Sequence, residues 1–217
     1  STSIRAMLYL ATLCKKGERA VVAAGRNAHR AFLDGAALLD LDIEWLYGEK
    51  SDNIVSCRIT PEYLDAFLDG REVTAVYLTS PDYAGNMLDI AAISEVCHRH
   101  GTLLLVDNAH GAYLRFLPCS AHPIDLDADA SCDSAHKTLP VLTGGGYLHI
   151  GKNAPKMFSE QADRAMALFA STSPSYLILQ SLDCANAYLA DGYREKLGAF
   201  AEKVAAIKAR LPFETVG

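Results

Sequence analysis

The sequence predicts an α/β fold three layers deep (α/β/α), with a mainly parallel sheet and a C-terminal helical extension. Three observations predict it. Short apolar runs with almost no polar face, residues 73–78 the clearest, suit strands covered on both sides. Helical patterns lie between them, opened by capping residues and closed by glycine. The alternation of the two implies parallel strands joined by right-handed crossovers.

Taken in order, Ser1-Thr2-Ser3 precedes residues 4–13, where apolar side chains at 4, 7, 8 and 11 have helical spacing. A helix start with hydroxyls and free amides is a ready phosphate site, although a simple N-cap is the commoner meaning. Lys16-Gly17-Glu18 ends that helix, residues 19–23 are a buried strand, and residues 28–39 form a helix with His29 at its start. An isolated histidine there is usually a cap. Residues 42–47 give another strand, followed by a polar loop to residue 59. Thr60-Pro61-Glu62 is a helix start with threonine as cap and proline at the first position, and Gly70 closes it after Leu68.

Residues 73–78 are a strand and 79–86 a loop shaped by Pro81 and Gly85. A helix over 89–100, closed by Gly101, leads to a strand over 102–106. A loop over 118–123 precedes the strand 128–132, and Thr143-Gly144-Gly145-Gly146 precedes the strand 147–150. Three glycines invite a nucleotide-loop reading, but G-x-G-x-x-G is absent and no helix follows directly. They read as a tight approach of the backbone. Beyond Gly151 the pattern is helical, over 154–169, 174–190 and 193–211. Residues 1–152 thus read as the core of one large domain. Residues 153–217 complete it and lead towards a smaller domain outside the chain. A chain starting at Ser1 and stopping at Val216-Gly217, soon after Pro212, reads as the central piece of a longer protein.

Composition narrows the function. Half of the 217 residues are hydrophobic and 21% are charged, as in a soluble body with one sizeable core. The net charge of −6 comes with no basic cluster, which argues against a nucleic-acid partner. No apolar run is long enough for a membrane span. The six cysteines, at 14, 57, 97, 119, 132 and 184, include no C-x-x-C pair. Cys97 beside His98 and His100 could suggest a metal, but a helix end with polar neighbours is the plainer reading, and no metal is expected. A reducing cytoplasm is the natural compartment.

The chemistry concentrates at two strand ends. Asp107-Asn108-Ala109-His110 closes one apolar run and Ser134-Ala135-His136-Lys137 follows another, with 137 − 107 = 30 residues between the charged groups. That interval fits one connecting segment and one strand, so both groups can reach the edge where open parallel sheets bind ligands. Each half alone is ordinary: a lysine after histidine is usually a surface lysine, and an aspartate closing a strand is often a turn residue. Together they are what pyridoxal phosphate (PLP) requires. A lysine amine holds the aldehyde as a Schiff base, and a carboxylate keeps the pyridine nitrogen protonated. Ala109, small and two residues beyond Asp107, can lie against one face of a flat ring.

Val106-Asp107-Asn108-Ala109-His110-Gly111-Ala112 and Asp133-Ser134-Ala135-His136-Lys137-Thr138 resemble the major domain of the fold-type I ornithine/lysine/arginine decarboxylases. Arg26-Asn27-Ala28-His29-Arg30, Thr79-Ser80-Pro81-Asp82-Tyr83-Ala84-Gly85 and Ser171-Thr172-Ser173-Pro174-Ser175-Tyr176 agree, in the family's order. The resemblance implies a large domain of the aspartate-aminotransferase type, PLP as cofactor, and decarboxylation of a basic amino acid. It implies a catalytic set of Lys137, Asp107 and His29, with His29 stacked on the pyridine ring. Thr2 and Ser3 would grip the phosphate, and Ala109, His110, Ser134 and His136 would complete the pocket. Thr172 would reach the PLP phosphate of a neighbouring subunit in a homodimer or larger homo-oligomer. The piece alone would hold PLP with little or no turnover.

Departures from the family pattern bear on substrate choice. Asn108 stands where many members have glutamate, Tyr113 where histidine is frequent, and Gly144-Gly145 where a polar pair is common. Two alternatives stay open: an aminotransferase or amino-acid aldolase of the same fold, and a non-catalytic scaffold that keeps the fold. The amino acid itself is not legible.

Overall fold

In the computed structural model, which describes residues 2–15, 17–48 and 55–212, the strand–helix alternation becomes one six-stranded sheet. Ser1, Lys16, residues 49–54 of the loop expected after the second strand, and the terminal Val216-Gly217 lie outside the described residues. The strands are β1 (Val21–Gly25), β2 (Asp42–Leu46), β3 (Ala75–Thr79), β4 (Leu103–Asp107), β5 (Ala130–Asp133) and β6 (Tyr147–Ile150), in the order β2-β1-β3-β4-β5-β6. The first five run parallel and β6 is antiparallel to β5. A parallel return normally needs a crossover helix. Between β5 and β6 the only helix is a four-residue turn, Ala135–Thr138, so the chain doubles back instead.

The strands alternate their side chains between two helical layers. On one face Val22, Ala24, Tyr77, Leu105 and Cys132 pack against α1 (Thr2–Thr12), α2 (Arg30–Leu38) and α6 (Lys156–Phe169). On the other, Ala23, Val76, Leu78, Leu104 and Val106 pack against α3 (Pro61–Leu68) and α4 (Ile90–Arg99). Met7, Leu8, Phe32, Leu64 and Ile93 are fully enclosed, and each such side chain stabilises the fold by about 1.5–3 kcal/mol relative to exposure. The helix signals act as the sequence predicts. Thr60 Oγ1 accepts the Tyr63 amide at 3.2 Å, with Pro61 in the first turn, and Asp89 caps α4 through the Ala92 amide at 3.1 Å.

Strand boundaries shift. The first strand begins at Val21 rather than residue 19, because Arg19 turns outward to ion pairs with Asp40 and Asp42. The third begins at Ala75 rather than residue 73 and runs through Thr79. Asp107 is not beyond the fourth strand but is its last residue, in register with Thr79 and Cys132. Of the C-terminal helices, α6 buries Phe158 and Ala165 in the core. α7 (Tyr176–Ala190) buries only Ala185, and α8 (Tyr193–Lys208) has no fully buried residue. Leu182, Leu189 and Tyr193 tie these two helices to a small cluster around Ala112, Ala135 and Leu139. No helix among the described residues is long and apolar enough to cross a membrane.

Candidate active site

Parallel strands put their C-terminal ends on one edge, and both motifs emerge there. Asp107 ends β4 with 1% of its surface exposed. Its Oδ2 accepts the Tyr77 hydroxyl at 3.0 Å, and its Oδ1 accepts the Ala109 amide at 3.2 Å and the Cys132 thiol at 3.7 Å. Burial, then the Asp107 charge, pushes the Tyr77 hydroxyl well above its ordinary range. Burial and the charges of Asp107 and Asp133 do the same to the Cys132 thiol. Both therefore stay protonated donors at neutral pH. The carboxylate is thus buried and oriented, but its hydrogen-bond donors among the described residues are all neutral. Tyr77 is itself fixed by the ring of Phe32, 4.4 Å away between centroids.

Lys137 sits one strand over, on the short helix α5 (Ala135–Thr138) that follows β5. Its exposed Nζ donates to His110 Nε2 at 2.9 Å. His110 lies edge-on to Tyr83, ring centroids 5.0 Å apart. Burial first, then the Lys137 charge, lowers the pKa of His110, so the imidazole is a neutral acceptor for the lysine. Lys137→Met should raise that pKa part of the way back, since burial persists. A histidine titration by NMR that does not move would show that the ammonium is not beside the ring.

The other residues singled out in the sequence occupy the same edge with different engagements. Ser134 occupies the N-cap position of α5 without a side-chain capping bond, and its carbonyl accepts the Lys137 amide at 2.9 Å. His136 turns away from Lys137: its Nδ1 donates to the Gly145 carbonyl at 2.8 Å, tying the lysine turn to the glycine run. The close approach expected there falls at Gly146, where a Cβ would lie 2.7 Å from the Asp133 carbonyl. Ala109 is half-buried and gives its amide to Asp107. His29 caps α2, its Nδ1 accepting the Ala31 amide at 3.1 Å, and its ring is exposed.

Thr2 and Ser3 form the first turn of α1, with Thr2 Oγ1 3.5 Å from the Phe169 carbonyl. The chain leaves the far end of α1 for the start of β1, so this first turn lies at the sheet's C-terminal edge. Thr172 follows Phe169 in an exposed turn. The structure thus pairs Asp107 with Ala109 and Lys137 with His110 by direct contacts. Thr2, Ser3, His29 and Thr172 share their edge by topology.

Sequence reasoning missed several groups. Tyr77 and Cys132 read as core residues in apolar runs; the one signal for Tyr77 is a lone hydroxyl in such a run. Thr79, paired in register with Asp107, has a buried Oγ1 without a hydrogen-bond partner among the described residues. Beneath the lysine turn lies a cluster the motifs do not reveal. Asp133 Oδ2 accepts from His122 Nε2 at 3.1 Å and His149 Nε2 at 2.9 Å, and Oδ1 accepts from Asn108 Nδ2 at 2.7 Å. A cavity of about 130 Å³ adjoins it, lined also by Arg115, Tyr147 and Asn186.

Two histidines and a carboxylate within 4.8 Å have the donor types of a metal centre. His122 Nδ1, however, accepts the Ile124 amide at 3.3 Å, so its Nε2 carries the proton and is spent on Asp133. The cluster reads as a closed hydrogen-bond network.

A mainly parallel sheet of this order thus lies between two helical layers, with a lysine and a buried carboxylate at one edge. Comparison with known proteins identifies the family. Residues 1–212 match the family model described as "Orn/Lys/Arg decarboxylase, major domain", and the chain belongs to that family. It is 28% identical over 214 residues to the uncharacterized protein YaaO of Bacillus subtilis, covering 95% of this chain and 43% of that protein. It is 28% identical over 202 residues to an arginine decarboxylase of Halalkalibacterium halodurans, covering 91% and 40%.

The chain therefore spans about two fifths of the length of these curated relatives. Among solved structures, lysine decarboxylase A from Pseudomonas aeruginosa superposes with a TM-score of 0.75 at 20% identity, over 99% of this chain and 32% of that one. An SPT solved with PLP gives 0.68 at 18%, over 99% and 52%.

Proposed function

We propose that the protein to which this chain belongs decarboxylates a basic amino acid (lysine, ornithine or arginine) with PLP as cofactor. The carrying observation is the buried Asp107 carboxylate, held among the described residues by neutral donors, at a strand end whose neighbour delivers Lys137. A protonated pyridine nitrogen would give such a carboxylate a cationic partner. The family and the arginine decarboxylase relatives support the substrate class.

When bound, PLP supplies the electron sink that accepts the pair left behind as CO₂ departs. Asp107 would hold the proton at the ring nitrogen, with Tyr77 and the Ala109 amide fixing the carboxylate's orientation. Ala109 leaves room for a flat ring. Lys137 is the attachment point. The neutral His110 accepts a hydrogen bond from its Nζ and would orient the amine. The amides and hydroxyls of Thr2 and Ser3, at an N-terminus, suit the phosphate. His29, on its exposed cap, would lie over the ring. Ser134 and His136 hold the lysine turn.

Product analysis tests the reading. The full-length protein should release CO₂ and the corresponding amine from lysine, ornithine or arginine, with PLP left in the aldehyde form. Accumulation of pyridoxamine phosphate and a keto acid at the main rate would make it an aminotransferase. A protein that stays colourless and takes up no PLP would be a scaffold.

We also propose a homodimer, supported by the family and by the exposure of Tyr176 and Leu177, 81% and 69%, beside the Ser171–Pro174 turn. A sedimenting monomer with full PLP affinity would refute it. The cytoplasm is the proposed compartment; fractionation to a membrane or the medium would contradict it.

A further inference from the structure

The ends of β4 and β5 are joined by one side-chain bond that the reading above leaves unused. Asn108 directly follows Asp107, and Asp133 directly precedes Ser134. Both are buried, and Asn108 Nδ2 donates to Asp133 Oδ1 at 2.7 Å. The last backbone tie between these two strands is the Asn108 amide on the Cys132 carbonyl at 3.0 Å. The side-chain bond is therefore the next link outward, set between the two motifs.

We propose that Asn108 and Asp133 are positioning residues whose hydrogen bond braces the two strand ends and sets the separation of Asp107 from Lys137. Each partner is held in place by its own surroundings. A Cβ at Gly111 would overlap the Asn108 side-chain oxygen, so the glycine is what makes room for Asn108 in this turn. That oxygen has no hydrogen-bond partner among the described residues, so the bond to Asp133 fixes which way the amide points. On the other side, Asp133 accepts from His122 and His149 at its second oxygen. Burial alone would raise its pKa, but these two bonds outweigh it and keep the group ionised. Downstream, the lysine turn is pinned again by His136 on Gly145. Lys137 thus follows two pinned residues, Asp133 and His136, and the first is tied to the residue after Asp107.

Exchanging the pair tests the brace. Asn108→Asp sets two carboxylates against each other. Asp133→Asn leaves one carbonyl to serve either Asn108 or the two histidines, but not both. Combining the two lets the new amide at 133 donate to the new carboxylate at 108 while its carbonyl accepts from both histidines. The readouts, in full-length apoprotein, are the rate of PLP attachment to Lys137 and the induced circular dichroism of the bound cofactor.

Each single variant should slow attachment by about ten- to a hundredfold, as small misplacements of reacting groups do. The double variant should return to within about threefold of the parent, as expected of coupled neighbours. Asn108→Ser, which removes the donor without adding charge, serves if a carboxylate at 108 prevents folding. A role in stability alone would lower the thermal midpoint and leave the rate and dichroism of folded molecules unchanged. That outcome, or a double variant no faster than the singles, overturns the brace. The proposal rests on Lys137 as the attachment point. A parent protein that does not label there refutes that reading, whereas a labelled parent with unaffected variants refutes the brace alone.

Discussion

Replacing Lys137 with alanine will abolish covalent capture of PLP and, in the full-length protein, turnover with it. Losing a residue that forms the covalent link typically removes about 10³- to 10⁶-fold of rate. Among the described residues, four other lysines are engaged elsewhere. Lys15 bonds the Glu18 carbonyl, Lys152 and Lys156 pair with Asp127 and Glu160, and Lys196 lies over Tyr188. The fold should tolerate the change, since an exposed side chain away from the core shifts stability by only about 0.5 kcal/mol. Incubation with PLP and borohydride reduction, followed by peptide mass mapping, should mark Lys137 in the parent and nothing in the variant. Equal labelling at another lysine would refute the assignment.

Asp107→Asn should separate attachment from turnover. The link to Lys137 still forms, because its amine and His110 are untouched. The charge-assisted bond to a protonated ring nitrogen is lost, however, and such bonds are worth about 1.5–3 kcal/mol. At 1.4 kcal/mol per decade that is a fall of about ten- to a hundredfold in kcat. Stability should also fall. The introduced NH₂ replaces one acceptor oxygen, so either the Tyr77 hydroxyl or the Ala109 amide loses its acceptor, and a buried donor left unsatisfied costs about 1–3 kcal/mol. With the charge gone, the Tyr77 hydroxyl should titrate lower, although burial still keeps it above the ordinary range. An Asn variant with parental kcat would show that the ring is not used in its protonated form.

Much of this was readable because its signals are local. The Thr60-Pro61 start of α3 and the span of β6 need only neighbouring residues, and the structure has them where the sequence predicts. Lys137, Asp107 and His110 stand out because each is a polar group stranded at the end of an apolar run. What escaped is non-local. Tyr77 meets Asp107 across 30 residues and Cys132 meets it across 25, and both look like ordinary core until the sheet order is known. The Asp133 network joins residues 11, 16 and 25 apart with no shared periodicity. Boundaries slipped where a side chain found a partner off the sheet, as Arg19 does with Asp40 and Asp42.

The two halves of the site also differ in how firmly they are anchored. Asp107 belongs to a strand hydrogen-bonded on both sides, and its carbonyl receives the Ser80 amide at 3.1 Å. Lys137 stands beyond the sheet, exposed, on a four-residue helix whose amide reaches back only to Ser134. Openings of short exposed segments cost far less free energy than unfolding a central strand. Amide exchange should therefore run faster at Lys137 than at Asp107. On gentle warming the lysine turn would fray while the Asp107 carboxylate stays seated, so the two groups would lose their register well before the body of the protein unravels.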